Sequence, residues 1–287
     1  MKAFSFPKSP KLKYAHSLVK LANKVIATKD TQVEFNLTET IELDSLSISF
    51  LCGLADISLE NNQKLVIRYK SNRKIKSVVD IINDSIQKNK ITDFEIGNNK
   101  FQLARITSNN NMFIDRMLVL LQKELKFGED TKGSMRLVLS ELLTNAIDHS
   151  GDQRAYICIG RWPNSSYLHL VCLDFGVGIP TKLRTRYPEL DTDVKAFEEQ
   201  HRKGLTTRIK RDGGKGYKLI QDILKFNKGR LSIISNYARV NYRYDKSDYK
   251  IWKTKLPFHG TCVDIQFNPS KGGFDEILNN KQIEELF

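Results

Sequence analysis

The sequence predicts an α+β chain built in two parts. Apolar residues alternate between helical and strand spacing over residues 10–86, a polar break follows at Gly97-Asn98-Asn99-Lys100 and around Ser108 to Asn111, and beyond it two helical patterns lead into a series of strands. We place the boundary near residue 105, which gives a small α/β unit over 1–105, a larger unit over 106–272 and a helix over 273–287. The chain has 287 residues, 40% of them hydrophobic and 28% charged, so each part is long enough to enclose a core.

The first helix, over 10–28, follows from Leu12, Ala15, Leu18, Val19, Ala22, Val25 and Ile26, which recur every three or four positions. A strand over 31–37, a helix over 44–59 opening at the capping residue Asp44, a buried strand over 64–69 and a helix over 74–86 come next. In the second part, helices over 111–126 and 132–148 precede strands over 155–160 and 167–173. A charged stretch without periodicity runs from Pro180 to Asp212, and a helix opens at Gly214. Strands over 231–235, 242–244, 251–255 and 262–267 close the unit.

No stretch approaches the roughly 20 apolar residues of a membrane span, and Met1 to Pro7 lacks the apolar run of a signal peptide, so a cytoplasmic protein without membrane contact is expected. Cys52, Cys158, Cys172 and Cys262 show no paired spacing and read as reduced core thiols. The histidines do not cluster, so a metal would be held by oxygen. A formal net charge of +13 suits a phosphate-bearing partner. Much of it lies at Arg202, Lys203, Arg208, Lys210, Arg211, Lys215 and Lys218, where one nucleotide triphosphate would account for several of the charges. Nucleic acid is therefore less favoured as a partner than another protein or a second copy of the chain.

Three motifs stand in order along the second part. On the helix over 132–148, Met135, Val138, Leu139, Leu142, Leu143 and Ala146 form the apolar stripe, and Glu141 and Asn145 fall outside it, four residues apart on one face. Such a pair can converge on one ion or water, with Asn145 as an oxygen ligand for magnesium and Glu141 as a base. Alone, it is also what the solvated side of an amphipathic helix looks like. The apolar run Leu168 to Leu173 then delivers Asp174 at a strand end, where a carboxylate can accept from the amino group of adenine, with Gly176 and Gly178 allowing a sharp turn beneath the base. An ordinary strand-to-loop turn has the same composition. Finally Gly213, Gly214 and Gly216, with Lys215 among them, precede the apolar run Leu219, Ile220, Ile223 and Leu224. Exposed amides at a helix start bind anions, and neither the Walker ending nor a dinucleotide fingerprint is present.

In this order the motifs resemble the GHKL ATPase superfamily, from about Asn111 to Pro269. The resemblance implies a two-layer Bergerat fold, a mixed sheet with helices on one face, and a site for ATP and Mg2+ under a lid at about 181–212. It implies that Glu141 and Asn145 form the first motif of the site, with Asp174, Gly176 and Gly178 in the second and Gly214 and Gly216 in the third. Thr261 resembles the late threonine that supports the adenine-binding aspartate, and Arg208 or Lys210 would meet the terminal phosphate. The stretch Asn145-Ala146-Ile147-Asp148-His149 is more similar to anti-sigma serine kinases than to histidine kinases. The first part is faintly similar to STAS domains around Ile41 to Leu51, with Asp44-Ser45 at the family's aspartate-serine pair; a helix cap reads the same way. Three functions follow: a regulatory protein with slow ATP hydrolysis and a nucleotide-ordered lid, a serine kinase acting on a STAS-like partner or on Ser45 or Ser47, and a nucleotide-gated nucleic-acid binder.

Overall fold

Two sheets organise the chain in the computed structural model, which describes residues 1–9, 15–70, 72–88, 91–96, 99–108, 111–150, 154–162, 165–205 and 215–271. The first is built from β1 (Lys2–Ser5), β2 (Gln32–Asn36) and β3 (Lys64–Arg68), paired in parallel in that order. Parallel neighbours need crossovers, and helices α1 (Ala15–Ile26) and α2 (Ser45–Glu60) supply them. Helix α3 (Arg73–Lys88) follows. The second sheet takes β4 (Ile91–Ile96), β5 (Asn99–Ile106), β6 (Ala155–Arg161), β7 (Leu168–Asp174), β8 (Arg230–Arg243) and β9 (Asp248–Phe267) in the order β4-β5-β6-β7-β9-β8. Helices α4 (Asn111–Leu125), α5 (Glu129–Ser150), α6 (Ile179–Arg184), α7 (Asp193–Lys203) and α8 (Lys215–Asn227) complete the described elements.

Every pairing in the six-stranded sheet is antiparallel, where a mixed sheet is expected. It also takes in β4 and β5, which but for Ile106 fall within the amino-terminal unit expected over 1–105. Of the polar run at 97–100, Asn99 and Lys100 begin β5, where Asn99 pairs with Ile96 and Lys100 with Glu95; 97 and 98 lie outside the described residues. The four strands expected after residue 230 are two long ones, and the gaps between them are register shifts at Ser235, Asn236 and Ala238. The helix expected over 273–287 lies outside the described residues.

Side chains alternate across a strand, and this sheet buries both faces. Ala104, Ile157, Ile159, Leu170, Cys172 and Ile265 pack against α4, α5 and α8. Phe101, Leu103, Tyr156, Cys158, Val171 and Leu173 join the core of the amino-terminal unit on the other side. Between the sheets lies α2, buried at nearly every position from Ser45 to Asp56. Full burial of side chains such as Leu46, Ile48, Phe50 and Leu54 contributes about 1.5–3 kcal/mol each. Its start is fixed by a capping box: Ser47 N–H donates to Asp44 Oδ1 at 2.8 Å, and Asp44 N–H donates to Ser47 Oγ at 2.7 Å. The Asp44-Ser45 pair therefore serves as the helix start.

One buried carboxylate ties the two parts together. Asp56 on α2 accepts from Arg105 Nε at 2.6 Å, Tyr156 Oη at 2.7 Å and Arg154 Nη1 at 3.3 Å. All four cysteines are buried and free, and burial pushes the Cys158 thiol up to about 12. Among the described residues no helix is long and apolar enough to cross a membrane.

Candidate functional site

The site forms where α5 crosses the ends of β7 and β9. On α5 the stripe Met135, Val138, Leu139, Leu142, Leu143 and Ala146 is buried as its spacing predicts, which turns Glu141 and Asn145 to the rim of that face. Asn145 Nδ2 donates to Glu141 Oε1 at 3.1 Å. Strand β7 places Leu168, Leu170 and Cys172 toward the helices, and Asp174, two residues further, keeps that parity. Asp174 is 2% exposed, and its Oδ1 accepts from Gly176 N–H at 2.9 Å and Thr261 N–H at 3.2 Å. Two amide donors fix the carboxylate plane.

Thr261 faces Asp174 in the β7–β9 register and Ser235 in the β8–β9 register. It supports the aspartate through its main chain, and its hydroxyl lies 3.3 Å from Ser235 Oγ. Ser235 Oγ in turn donates to Gly260 O at 2.7 Å and accepts from Ile179 N–H at 2.9 Å. This clamps the loop after Asp174 to the hairpin. Gly178 caps α6 at φ 82°, and a Cβ there would lie 1.8 Å from Asn236 Oδ1, so the turn requires glycine on conformation and space alike.

A cavity of about 120 Å³ gathers Glu141, Asn145, Asp174 and Thr261 with Lys182, Gln200, Leu205 and Tyr217. Its outer wall comes from the stretch that showed no periodicity. That stretch holds α6 and α7, the latter capped by Thr192 Oγ1, which accepts from Lys195 N–H at 3.2 Å, and ended by the left-handed Gly204. Thr192-Asp193 and Gly204 are start and stop signals visible in the sequence. Asp193 fastens α7 by accepting from Arg184 Nη1 at 2.7 Å and Tyr237 N–H at 2.8 Å.

Lys215 and Gly216 open α8, next to Tyr217 of the cavity wall, whose phenol burial pushes well above its ordinary value. Arg208, Lys210, Gly213 and Gly214 lie outside the described residues. Among those described, no group of three or more His, Cys, Asp or Glu side chains is arranged to hold a metal ion. An amide oxygen and a carboxylate, as Asn145 and Glu141 carry side by side on α5, are the ligand types that a hard ion such as magnesium takes.

Residues 131–270 match the family model described as histidine kinase-, DNA gyrase B-, and HSP90-like ATPase. No match was found among curated proteins. The matched span runs from α5 to just beyond β9 and contains each of the motif residues named above.

Proposed function

Starting from an ATP-binding domain of the GHKL superfamily at residues 131–270, we propose that the chain is an ATP- and magnesium-dependent regulatory protein with slow hydrolysis. Asp174 accepts from the adenine amino group, a contact that guanine, with an oxygen there, does not make. Asn145 offers its oxygen to magnesium, which when bound would offset charge on the phosphates. Glu141 orients the attacking water and takes its proton. The amides at the start of α8, with Gly213, Gly214, Lys215 and Gly216, receive phosphate, and Arg208 meets the terminal one. The lid over 181–212 orders on the triphosphate, and its state reaches the amino-terminal unit.

The observation that carries this reading is the convergence of Glu141, Asn145, Asp174 and Thr261, far apart in sequence, on one cavity. Calorimetric titration with an ATP analogue and magnesium should show one site per chain, at least tenfold weaker in Asp174→Asn. No saturation by adenine nucleotides would overturn the reading. A serine kinase acting on a separate STAS-like protein remains the second reading, drawn from Asn145 to His149. Transfer within the chain is disfavoured, because Ser45 and Ser47 are buried, with Ser45 Oγ under Trp162 Nε1 at 3.1 Å.

A further inference from the structure

On the face of the six-stranded sheet away from Asp174 lies a larger cavity, of about 660 Å³, between the amino-terminal unit and the β8–β9 hairpin. Its size is that of a small-molecule site rather than a packing gap. Leu43, Ile75, Val78 and Trp162 give it apolar walls, and Lys74, Arg230, Arg239 and Arg243 give it cations.

Two carboxylates also line it, and both have partners. Asp44 caps α2 through Ser47, and Glu42 Oε1 accepts from Ser9 Oγ at 2.5 Å. Among the cations, Arg230 is occupied by Asp245 at 2.6 Å, and Arg243 reaches the same carboxylate at 3.4 Å. Arg239 Cζ lies over the Trp252 ring, 5.2 Å from its centroid, and burial lowers the arginine's pKa.

The polar wall is organised from behind. Asp264, 1% exposed, accepts from Gln266 Nε2 at 2.7 Å and lies 3.1 Å from His169 Nδ1; His169 and Gln266 both line the cavity. His169 Nε2 lies 3.3 Å from the Ser165 hydroxyl. A buried carboxylate that orients two lining side chains is a supporting shell, which a mere packing gap would not require.

We propose that this cavity binds a small organic anion, a carboxylate or phosphate monoester on a planar apolar body, with Arg239 and His169 meeting the anionic group and Trp162, Ile75 and Val78 the body. The site is separate from the nucleotide cavity, yet Leu231 lines both. The acid, amide and R239Q titrations do not depend on the nucleotide reading; only the arms with an ATP analogue do.

The full chain is titrated calorimetrically with 2-naphthoate, 2-naphthyl phosphate and the neutral 2-naphthamide. At least one acid should saturate at one per chain, with the amide at least tenfold weaker; whichever acid binds more tightly identifies the anion. Arg239→Gln should weaken the acid at least tenfold, and Val78→Trp, which fills the cavity, should abolish binding while an ATP analogue binds as before. Failure of both acids to bind, equal affinity for the amide, acid binding unchanged in R239Q, or competition with the ATP analogue overturns the proposal. If V78W does not fold, R239Q decides.

Discussion

Glu141 and Asn145 line one cavity because helix α5 buries the apolar stripe beside them. The proposed roles separate in the Glu141→Ala variant: ATP affinity should stay within a few-fold, while turnover falls by about 10²–10⁴, as measured by phosphate release. Turnover that persists would remove Glu141 as the base. Gly178→Ala tests the loop instead. With φ at 82° and Asn236 in the way, it should cost more than about 1 kcal/mol by urea denaturation and weaken ATP binding together with stability. These residues were legible because helical spacing and strand ends are local signals: Glu141 and Asn145 sit beside an apolar stripe, and Asp174 ends an apolar run. Lys182 and Gln200 were not, because no motif marks them and only the folding of α6 and α7 over the strand ends brings them to the cavity, and Tyr217, though it follows Gly216 in the third motif, carried no assigned role.

At the scale of elements, the start of α2 carries a pH signature. Burial pushes Asp44 from 3.8 up to about 6, against the opposing hydrogen bonds from Ser47. A carboxyl group whose folded pKa is raised contributes its stability below the unfolded pKa near 4 and loses it as pH rises through about 6. Asp44→Asn keeps a good cap and removes the titration, so between pH 4 and 7 the parent should lose stability relative to the variant; parallel urea midpoints across that range check it. The elements that the sequence did not disclose share a cause. Strand β1 has four residues with one buried, and β5 opens with Asn99 and Lys100, polar residues that equally suit a boundary. A hydrogen-bonded edge leaves little trace in composition, whereas α1, α2 and α5 announce themselves through caps and periodic burial.

For the whole molecule, the decisive fact is that the six-stranded sheet has no solvent face to spare. A fragment of residues 106–271 lacks β4, nearly all of β5, and α2, and so uncovers Tyr156, Cys158, Val171, Leu173 and Phe258. It should aggregate or bind a hydrophobic dye strongly, where the full chain stays dispersed in light scattering. Asp56→Ala strikes the same junction, leaving Arg105 and Arg154 beside Tyr156 without their shared carboxylate. A loss of about 1–3 kcal/mol is expected in urea denaturation, because the buried Tyr156 hydroxyl loses its acceptor while both arginines keep Glu60. Both outcomes belong to the assembled molecule, which is why the family pattern in one half did not disclose them.

Phe175 sits in sequence between Asp174 and Gly176, but its ring crosses to the opposite side of the sheet, 5.7 Å from Phe258 and 6.3 Å from Phe50. Helix α2 makes room for it with Gly53, where a Cβ would lie 2.4 Å from the ring. The main chain from Asp174 to Gly176 thus joins the proposed adenine contact to a ring packed against another helix. Under the proposed function, the resonance of a fluorine label on the Phe175 ring should shift when an ATP analogue is added, although the ring lies across the sheet from the nucleotide cavity.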